Sequence, residues 1–546
     1  MPATIRLEAN RQPLRIPGTS IDVIAPGLRG ELTHTTAAPA ATGTRRGRRT
    51  AFAATIGGAT EASLAEAGLK ISDTLAIAAP TPDGAAARRP RPRTRTARRT
   101  AAPRDDELRL DLTRRPDVLF AIYRDASGIV SFHFAEEPRR AAGATVRGSA
   151  RRRTIVIPLR PSVAPTRTGR RDVRGAGLAG KLVDKLIELV VRRATREAAK
   201  LGVFGAVKWW ENKYRAAQGF HRGTPRQFLA AKPLSAGARD LRALAGEPSL
   251  LFLHGTTSST QGAFGSLADF APLAQKLWRA YDDRVIGFNH HTLTRGVAEN
   301  AIAFFEALPA ADAPYVFDAV VHSRGGLLAR TIAALGEGRL DPAFVGRLAG
   351  HQQPWSLPRG VTVQVRRIVF VGTPNNGTDL ADPDHLPQAL NWLASVTELL
   401  PAGAVTFSLG AILSIVALVA EAGLIALPGL ADQAVDADRE TGELLRKLNA
   451  LDHRQAAADY YSIEAHFRPA GALLGAALAF GIDAMFRKQH NDLIVPTRGI
   501  SGFGRYRFSP ADRIKTFTPD DKLQVHHTCY FTQRATWDHI CRALQI

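Results

Sequence analysis

One short run holds the residue types that nucleophilic catalysis needs. Val321-His322-Ser323-Arg324-Gly325-Gly326 sets a serine between an apolar stretch, Ala319 to Val321, and a helix-compatible one, Leu327 to Leu335. A serine at a sharp strand-to-helix turn projects its hydroxyl from strained backbone, and the helix N-terminus favours developing negative charge. The glycines that follow let strand and helix approach closely. The plainer alternative is a serine that merely caps a helix. The usual pattern of such a turn is Gly-x-Ser-x-Gly; Val321 stands at the first glycine, which predicts a looser or rotated turn.

Acyl transfer at a serine also needs donors for the carbonyl oxygen as it becomes tetrahedral. Leu253-His254-Gly255-Thr256-Thr257-Ser258 follows another apolar run and supplies a turn. The N–H of Thr256 and that of Arg324, the residue after the serine, are the expected pair, each worth about 3–4 kcal/mol in the transition state. A third turn, Gly372-Thr373-Pro374-Asn375-Asn376-Gly377-Thr378, also follows a strand-like run. A base and an acid complete the set, in the order serine, acid, histidine. Asp492, about 170 residues after the serine, precedes an apolar stretch, and His526 and His527 follow it. Glu464 is the competing acid, but a loop carboxylate such as Asp492 turns inward more freely. Either histidine fits the order. No His, Cys, Asp or Glu set has metal-ligand spacing, so neither a metal nor a cofactor is expected.

These motifs carry a resemblance. Residues 250–546 resemble the esterase/lipase group of the α/β-hydrolase superfamily, and within it bacterial lipase-like proteins carrying FLHGT, HSRGG, VGTPNNGT, NDLIVP and HHTCYF in this order. FNHHTLTRGVAENA and LPGLADQ are similar to that group as well. The resemblance implies an α/β-hydrolase fold and serine-ester chemistry through Ser323, Asp492 and His527; it selects His527 because the His-x-x-Tyr-Phe spacing starts there. It implies a small-molecule or lipid-like ester as substrate. The alternative expectation is a weak or inactive hydrolase-shaped binding or scaffold protein.

The elements that must position these residues are legible as strand-like runs alternating with helical ones. SLLFLHG (249–255), RVIGFNH (284–290), YVFDAVVHS (315–323), RRIVFVGTP (366–374) and YYSIEAHF (460–467) read as strands. Val297 to Leu308 and Gly325 to Leu335 read as helices between them. Such alternation predicts a mostly parallel sheet flanked by helices over residues 220–546. Leu399 to Ala420 carries no charge over 22 positions. It is long enough to cross a bilayer, but it lies between two strands of one domain and has no adjoining Lys or Arg. An apolar helical cap at about 385–432 is expected instead, with Gly471 to Phe486 as a further cap or core helix.

The front of the chain differs. Residues 1–175 hold 32 Lys+Arg against 16 Asp+Glu, a net of +16, and the remaining residues hold 40 against 34, a net of +6. Aromatic residues do not interleave with these arginines as a base-stacking surface requires, so nucleic acid is not expected; peripheral membrane contact stays open. Residues 1–104 read as a low-complexity, basic and loosely structured segment, dispensable for folding. LRLDL, VLFAIYR, IVSFHFA and RTIVIPLRP read as strands of a small β-rich module over 105–162. Residues 178–218, with Leu182, Leu186, Leu189 and Val190 at three- and four-residue steps, read as an amphipathic connecting helix. Met1 to Arg15 has no apolar core stretch, so a cytoplasmic protein is expected. The two cysteines, Cys529 and Cys541, exclude a disulfide scaffold.

Overall fold

The computed structural model describes residues 2–9, 11–36, 64, 69–78, 107–112, 114–115, 117–125, 130–136, 153–158, 185–192, 218–228, 234–378, 390–392, 433, 442–468, 486, 489–504, 506–519 and 525–546. Its N-terminal part is a ten-stranded antiparallel sheet built from β1 (Ala3–Glu8), β2 (Leu14–Arg15), β3 (Asp22–Ile24), β4 (Arg29–Thr36), β5 (Leu69–Ala78), β6 (Glu107–Asp111), β7 (Val118–Asp125), β8 (Val130–Glu136), β9 (Thr154–Pro158) and β10 (Lys185–Arg192). The order is β1-β4-β5-β10-β7-β8-β9-β6-β3-β2. Alternate residues face inward: Leu108 and Leu110 on β6, Ile155 and Ile157 on β9, Leu75 and Ile77 on β5 share one core with Leu7, Ile16, Val23 and Leu32.

Two expectations are corrected here. Residues 1–104 are not loose throughout: β1 to β5 lie in them, and the β-rich module extends from β1 to β10 rather than over 105–162. Their apolar residues keep the period of two that a half-buried strand needs, but threonines and arginines between them dilute the composition. Residues 185–192 are strand, not helix. β10 pairs with β5 on one side and β7 on the other. The β-branched Ile187, Val190 and Val191 fit that central position, and pairing overrides the helical spacing. The remainder of 178–218 up to 217, the arginine-rich run 85–103, the segment 399–420 and residues 471–485 lie outside the described residues, as does the expected cap apart from 390–392.

Deletion of residues 1–104 is therefore expected to unfold the N-terminal module. It removes Leu7, Ile16, Val23, Leu32, Leu75 and Ile77 from the shared core. Each buried aliphatic is worth about 1.5–3 kcal/mol, against a total domain stability of about 5–15 kcal/mol. Circular dichroism and thermal melting of the truncated chain check this; an undiminished β signal with an unchanged melting profile would overturn it.

The second sheet has eight strands: β11 (Gly219–Arg222), β12 (Leu234–Ser235), β13 (Pro248–Leu253), β14 (Val285–Asn289), β15 (Tyr315–His322), β16 (Val363–Val371), β17 (Asp459–Ala465) and, after the small hairpin of β18 (Gly502–Phe503) and β19 (Tyr506–Arg507), β20 (Ile514–Phe517). The order is β12-β11-β14-β13-β15-β16-β17-β20. From β14 to β20 all neighbours are parallel, and β11 and β12 add an antiparallel edge. Parallel strands are covered on both faces and read as continuous apolar runs. Here strand alternation sorts those runs. Leu251, Leu253, Ala319, Val321, Ile368 and Phe370 face the helices Val297–Ala307 and Gly325–Gly336. Leu250, Phe252, Val320, Val369 and Val371 face Ala271–Ala280 and Arg534–Leu544. The result is a three-layer α/β/α arrangement, as the strand–helix alternation predicts.

Candidate active site

Ser323 follows the last residue of β15 and precedes the helix Gly325–Gly336. Its φ is +52°, in the left-handed region that non-glycine residues seldom occupy. Its N–H donates to the Val371 carbonyl of β16 at 2.9 Å, which continues the ladder into the turn. The loosening expected from Val321 is not observed. That side chain is fully buried in the core beneath the helix, aligned with Leu253 on one side and Phe370 on the other. A glycine is not needed there because the residue belongs to the strand, not to the turn.

Two glycines are needed. Gly255 brings the turn after β13 against the serine, where an added Cβ would lie 2.7 Å from Ser323 Cβ. Gly372, at φ +57°, leaves room for the acid and base: a Cβ there would meet His527 Nδ1 at 3.0 Å and Asp492 Oδ2 at 3.1 Å.

Asp492 is fully buried and surrounded by donors. Its Oδ2 accepts from His527 Nδ1 at 2.8 Å and from the Tyr530 hydroxyl at 2.9 Å. Its Oδ1 accepts from the N–H of Val495 at 2.8 Å and of Ile494 at 3.1 Å. Burial alone would push this carboxyl up. The neighbouring His527 charge and hydrogen bond, with the two amides, outweigh it and hold Asp492 below the ordinary carboxylate range. The backbone closes the same contact, with His527 N–H donating to the Asp492 carbonyl at 2.8 Å.

The serine and this pair share neighbours. His322, adjacent to Ser323, donates from Nε2 to the His527 carbonyl at 3.0 Å, and the two rings lie 5.0 Å apart. Val371 receives the Ser323 N–H, and the next residue, Gly372, lies against Asp492 and His527. The structure thus gathers Ser323, Asp492 and His527 around the C-terminal end of β16. Among the described residues no hydrogen bond joins the Ser323 hydroxyl to His527. His526 is occupied elsewhere: Thr528 Oγ1 bonds its Nδ1 at 3.0 Å, and its ring packs edge-on against Phe467. Glu464, on β17, accepts from Thr516 Oγ1 and has no hydrogen bond to His527 among the described residues; burial raises its carboxyl.

The expected donor turns also flank the serine. Thr257, at φ +55°, has its N–H engaged by Thr292 Oγ1 at 3.0 Å. Thr256 is steadied through its hydroxyl, which accepts from Gln433 Nε2 at 3.1 Å. The Gln433 carbonyl in turn accepts from Thr378 N–H at 2.8 Å, tying this turn to the Gly372–Thr378 loop. Arg324 heads the helix, its guanidinium fully buried and donating to the Arg295 carbonyl at 2.7 Å. Arg330, six residues further along, donates to the Asn375 carbonyl and stacks over the Phe503 ring, so the helix behind Ser323 braces the same loop. Sequence reasoning missed the contacts of His322, Gln433 and Tyr530. Each stands inside or beside a motif already singled out, but nothing in the spacing shows which partner its side chain takes.

Among the described residues no group of three or more His, Cys, Asp and Glu could hold a metal ion, and no helix is long and apolar enough to cross a membrane.

Burial, helped by the neighbouring His527, pushes His322 down to about 3, and burial pushes His526 down to about 4. In the unfolded chain both bind protons near the usual 6.5. Between about pH 6.5 and 4 the unfolded state thus holds protons that the folded state does not, and stability falls as pH falls, by about 1.4 kcal/mol per pH unit for each imidazole. The depressed Asp492 acts in the same direction below its unfolded value. The melting midpoint is expected to be lower at pH 5 than at pH 7.5; equal midpoints would mean that these rings are solvated.

The site is thus a serine on a left-handed strand-to-helix turn beside a buried Asp–His pair, carried by a three-layer α/β fold with a mostly parallel sheet. The chain belongs to the family described as a domain of unknown function (DUF7379), which matches residues 217–545. No curated protein matches it in sequence. Similar solved structures include lipases and an esterase. Phospholipase PlaB from Legionella pneumophila is 13% identical over 47% of this chain and 45% of its own, with a TM-score of 0.28, so this chain spans less than half of that protein. Lipase 1 from Pelosinus fermentans is 13% identical over 55% of this chain and 98% of its own, at 0.37. EstA from Clostridium botulinum is 11% identical over 57% and 91%, at 0.37. Likeness at this level says nothing of activity.

Proposed function

We propose that the protein is a serine hydrolase of carboxylic esters, with Ser323, His527 and Asp492 as its triad. The observation that carries this reading is the buried Asp492–His527 pair beside a serine held at positive φ. His527 Nε2 takes the Ser323 proton as Oγ attacks the ester carbonyl. Asp492 holds the imidazole through Nδ1 and stabilises its cation. The N–H groups of Thr256 and Arg324 receive the oxyanion. Collapse of the tetrahedral intermediate expels the alcohol with the proton from His527, and water, activated by the same imidazole, releases the acid.

An ester with an apolar acyl part is the proposed substrate class. The feature that supports this class is the run Leu399 to Ala420, uncharged over 22 positions and set in the chain between β16 and β17. The test is a fluorophosphonate probe on the full chain. One label, recovered on the peptide holding Ser323, is the expected result; absence of labelling, with p-nitrophenyl butyrate left intact, would sink the reading.

A further inference from the structure

The N-terminal module touches the acid turn through two adjacent residues. β8 pairs with β7 from Val130 to Phe134 and with β9 only at Ala135 and Glu136. Among the described residues no strand pairs with the opening of β8 on that side, so an N–H there needs a partner from outside the sheet. Phe132 N–H finds one in Asn391 Oδ1, at 2.7 Å. The next residue, Trp392, is fully buried, and its Nε1–H donates to the Leu493 carbonyl at 3.0 Å.

Leu493 is no ordinary acceptor. It is buried, lies at φ +89°, and directly follows Asp492. A leucine persists in that conformation only where its surroundings hold it. Asn491 Oδ1 receives its N–H at 3.0 Å, and the Trp392 indole fixes its carbonyl. The peptide so fixed runs on to Ile494 and Val495, whose N–H groups orient Asp492 Oδ1. Relaxation of Leu493 toward negative φ would turn those two amides away from the carboxylate.

We propose that Asn391 and Trp392 are positioning residues that tie the N-terminal module to the Asp492 turn, so that the module governs how firmly this carboxylate is presented to His527. The kinetic consequence rests on the ester-hydrolase reading; the structural consequence does not.

The test uses the full chain and three variants, Trp392→Phe, Asn391→Ala and Asn391→Asp, the last of which keeps an acceptor for Phe132 N–H. Hydrogen–deuterium exchange is followed at peptides covering 489–496 and 525–531, beside kcat, KM and pH profiles on p-nitrophenyl butyrate. Trp392→Phe is expected to speed exchange at Ile494 and Val495 about tenfold and to lower kcat ten- to a hundredfold, with KM within twofold. The acidic limb of kcat/KM should move to lower pH, because an imidazolium with a loosened carboxylate gives up its proton more readily. Asn391→Ala should shift exchange and kcat in the same direction by a smaller factor, and Asn391→Asp should restore both. If Asn391→Ala leaves exchange at the acid turn unchanged, the tie to the module is overturned, whatever Trp392→Phe does and even if that variant fails to fold. If wild-type protein hydrolyses no ester while exchange still responds, the tie stands and the hydrolase reading falls.

Discussion

Ser323→Ala is expected to lower turnover of p-nitrophenyl butyrate by up to about a millionfold, the scale of losing a triad nucleophile, while the protein melts within a few degrees of wild type. The replacement deletes one oxygen. The φ of +52° is already borne by a residue with a Cβ, so alanine adds no new strain. The Ser323 N–H bond to Val371 is a backbone bond and survives. Among the described residues the hydroxyl makes no hydrogen bond to His527, so its removal leaves the Asp492–His527 pair intact. Separate measurement of melting and turnover thus isolates chemistry from folding. Activity within tenfold of wild type would remove Ser323 from the mechanism.

The second large effect separates the adjacent histidines and the two candidate acids. His527→Ala is expected to lower turnover at least about a thousandfold, and Asp492→Asn by about ten thousandfold, because an amide in that place no longer holds the required imidazole tautomer. Asp492→Asn also exchanges an oxygen acceptor for an NH2 group among four donors: His527 Nδ1, the Tyr530 hydroxyl and two amides. A stability loss of about 1–3 kcal/mol should accompany it. His526→Ala should cost less than about tenfold, since that ring bonds Thr528 and packs on Phe467. Glu464→Gln should be mild in turnover, because its partner is Thr516 on the neighbouring strand. A dead His526 variant beside an active His527 variant would shift the base by one position; two active histidine variants would leave a binding protein with a hydrolase's shape.

The legible part of the fold is the part where local pattern and burial agree. The C-terminal parts of β13, β15 and β16 (Leu250 to Leu253, Ala319 to Val321, Ile368 to Val371) are unbroken apolar runs because both faces of a parallel strand are covered there, and a glycine-containing turn follows each. Ser323 is recognisable at the end of such a run, and Asp492 and His527 by their order after it and the motifs around them. β10 was not legible as strand, because Leu186, Leu189 and Val190 satisfy a helical period as well as a strand one. Only the presence of β5 and β7 on either side decides, and both are distant in sequence. The short β1 and β2 fail for another reason: a strand of a few residues with one buried face offers two or three apolar positions, too few for a period to stand out. Contacts such as Gln433 to Thr256 and Trp392 to Leu493 span 177 and 101 residues. Spacing carries no information about pairs that only the tertiary fold creates.

The two thiols of the chain can serve as a clock. Cys529 lies in the turn after His527 and Cys541 on the C-terminal helix, and both are buried. Burial pushes Cys529 up to about 11 and raises Cys541 as well. Disulfide exchange and alkylation proceed through the thiolate, so at neutral pH a colorimetric thiol reagent should count zero in the native protein and two after denaturation. The rise between those limits times the exposure of both surroundings, the turn beside the imidazole and the C-terminal helix. The same silence makes the unaltered sequence a background-free host for dye attachment: one cysteine added on any exposed strand would be the sole site a maleimide fluorophore reaches.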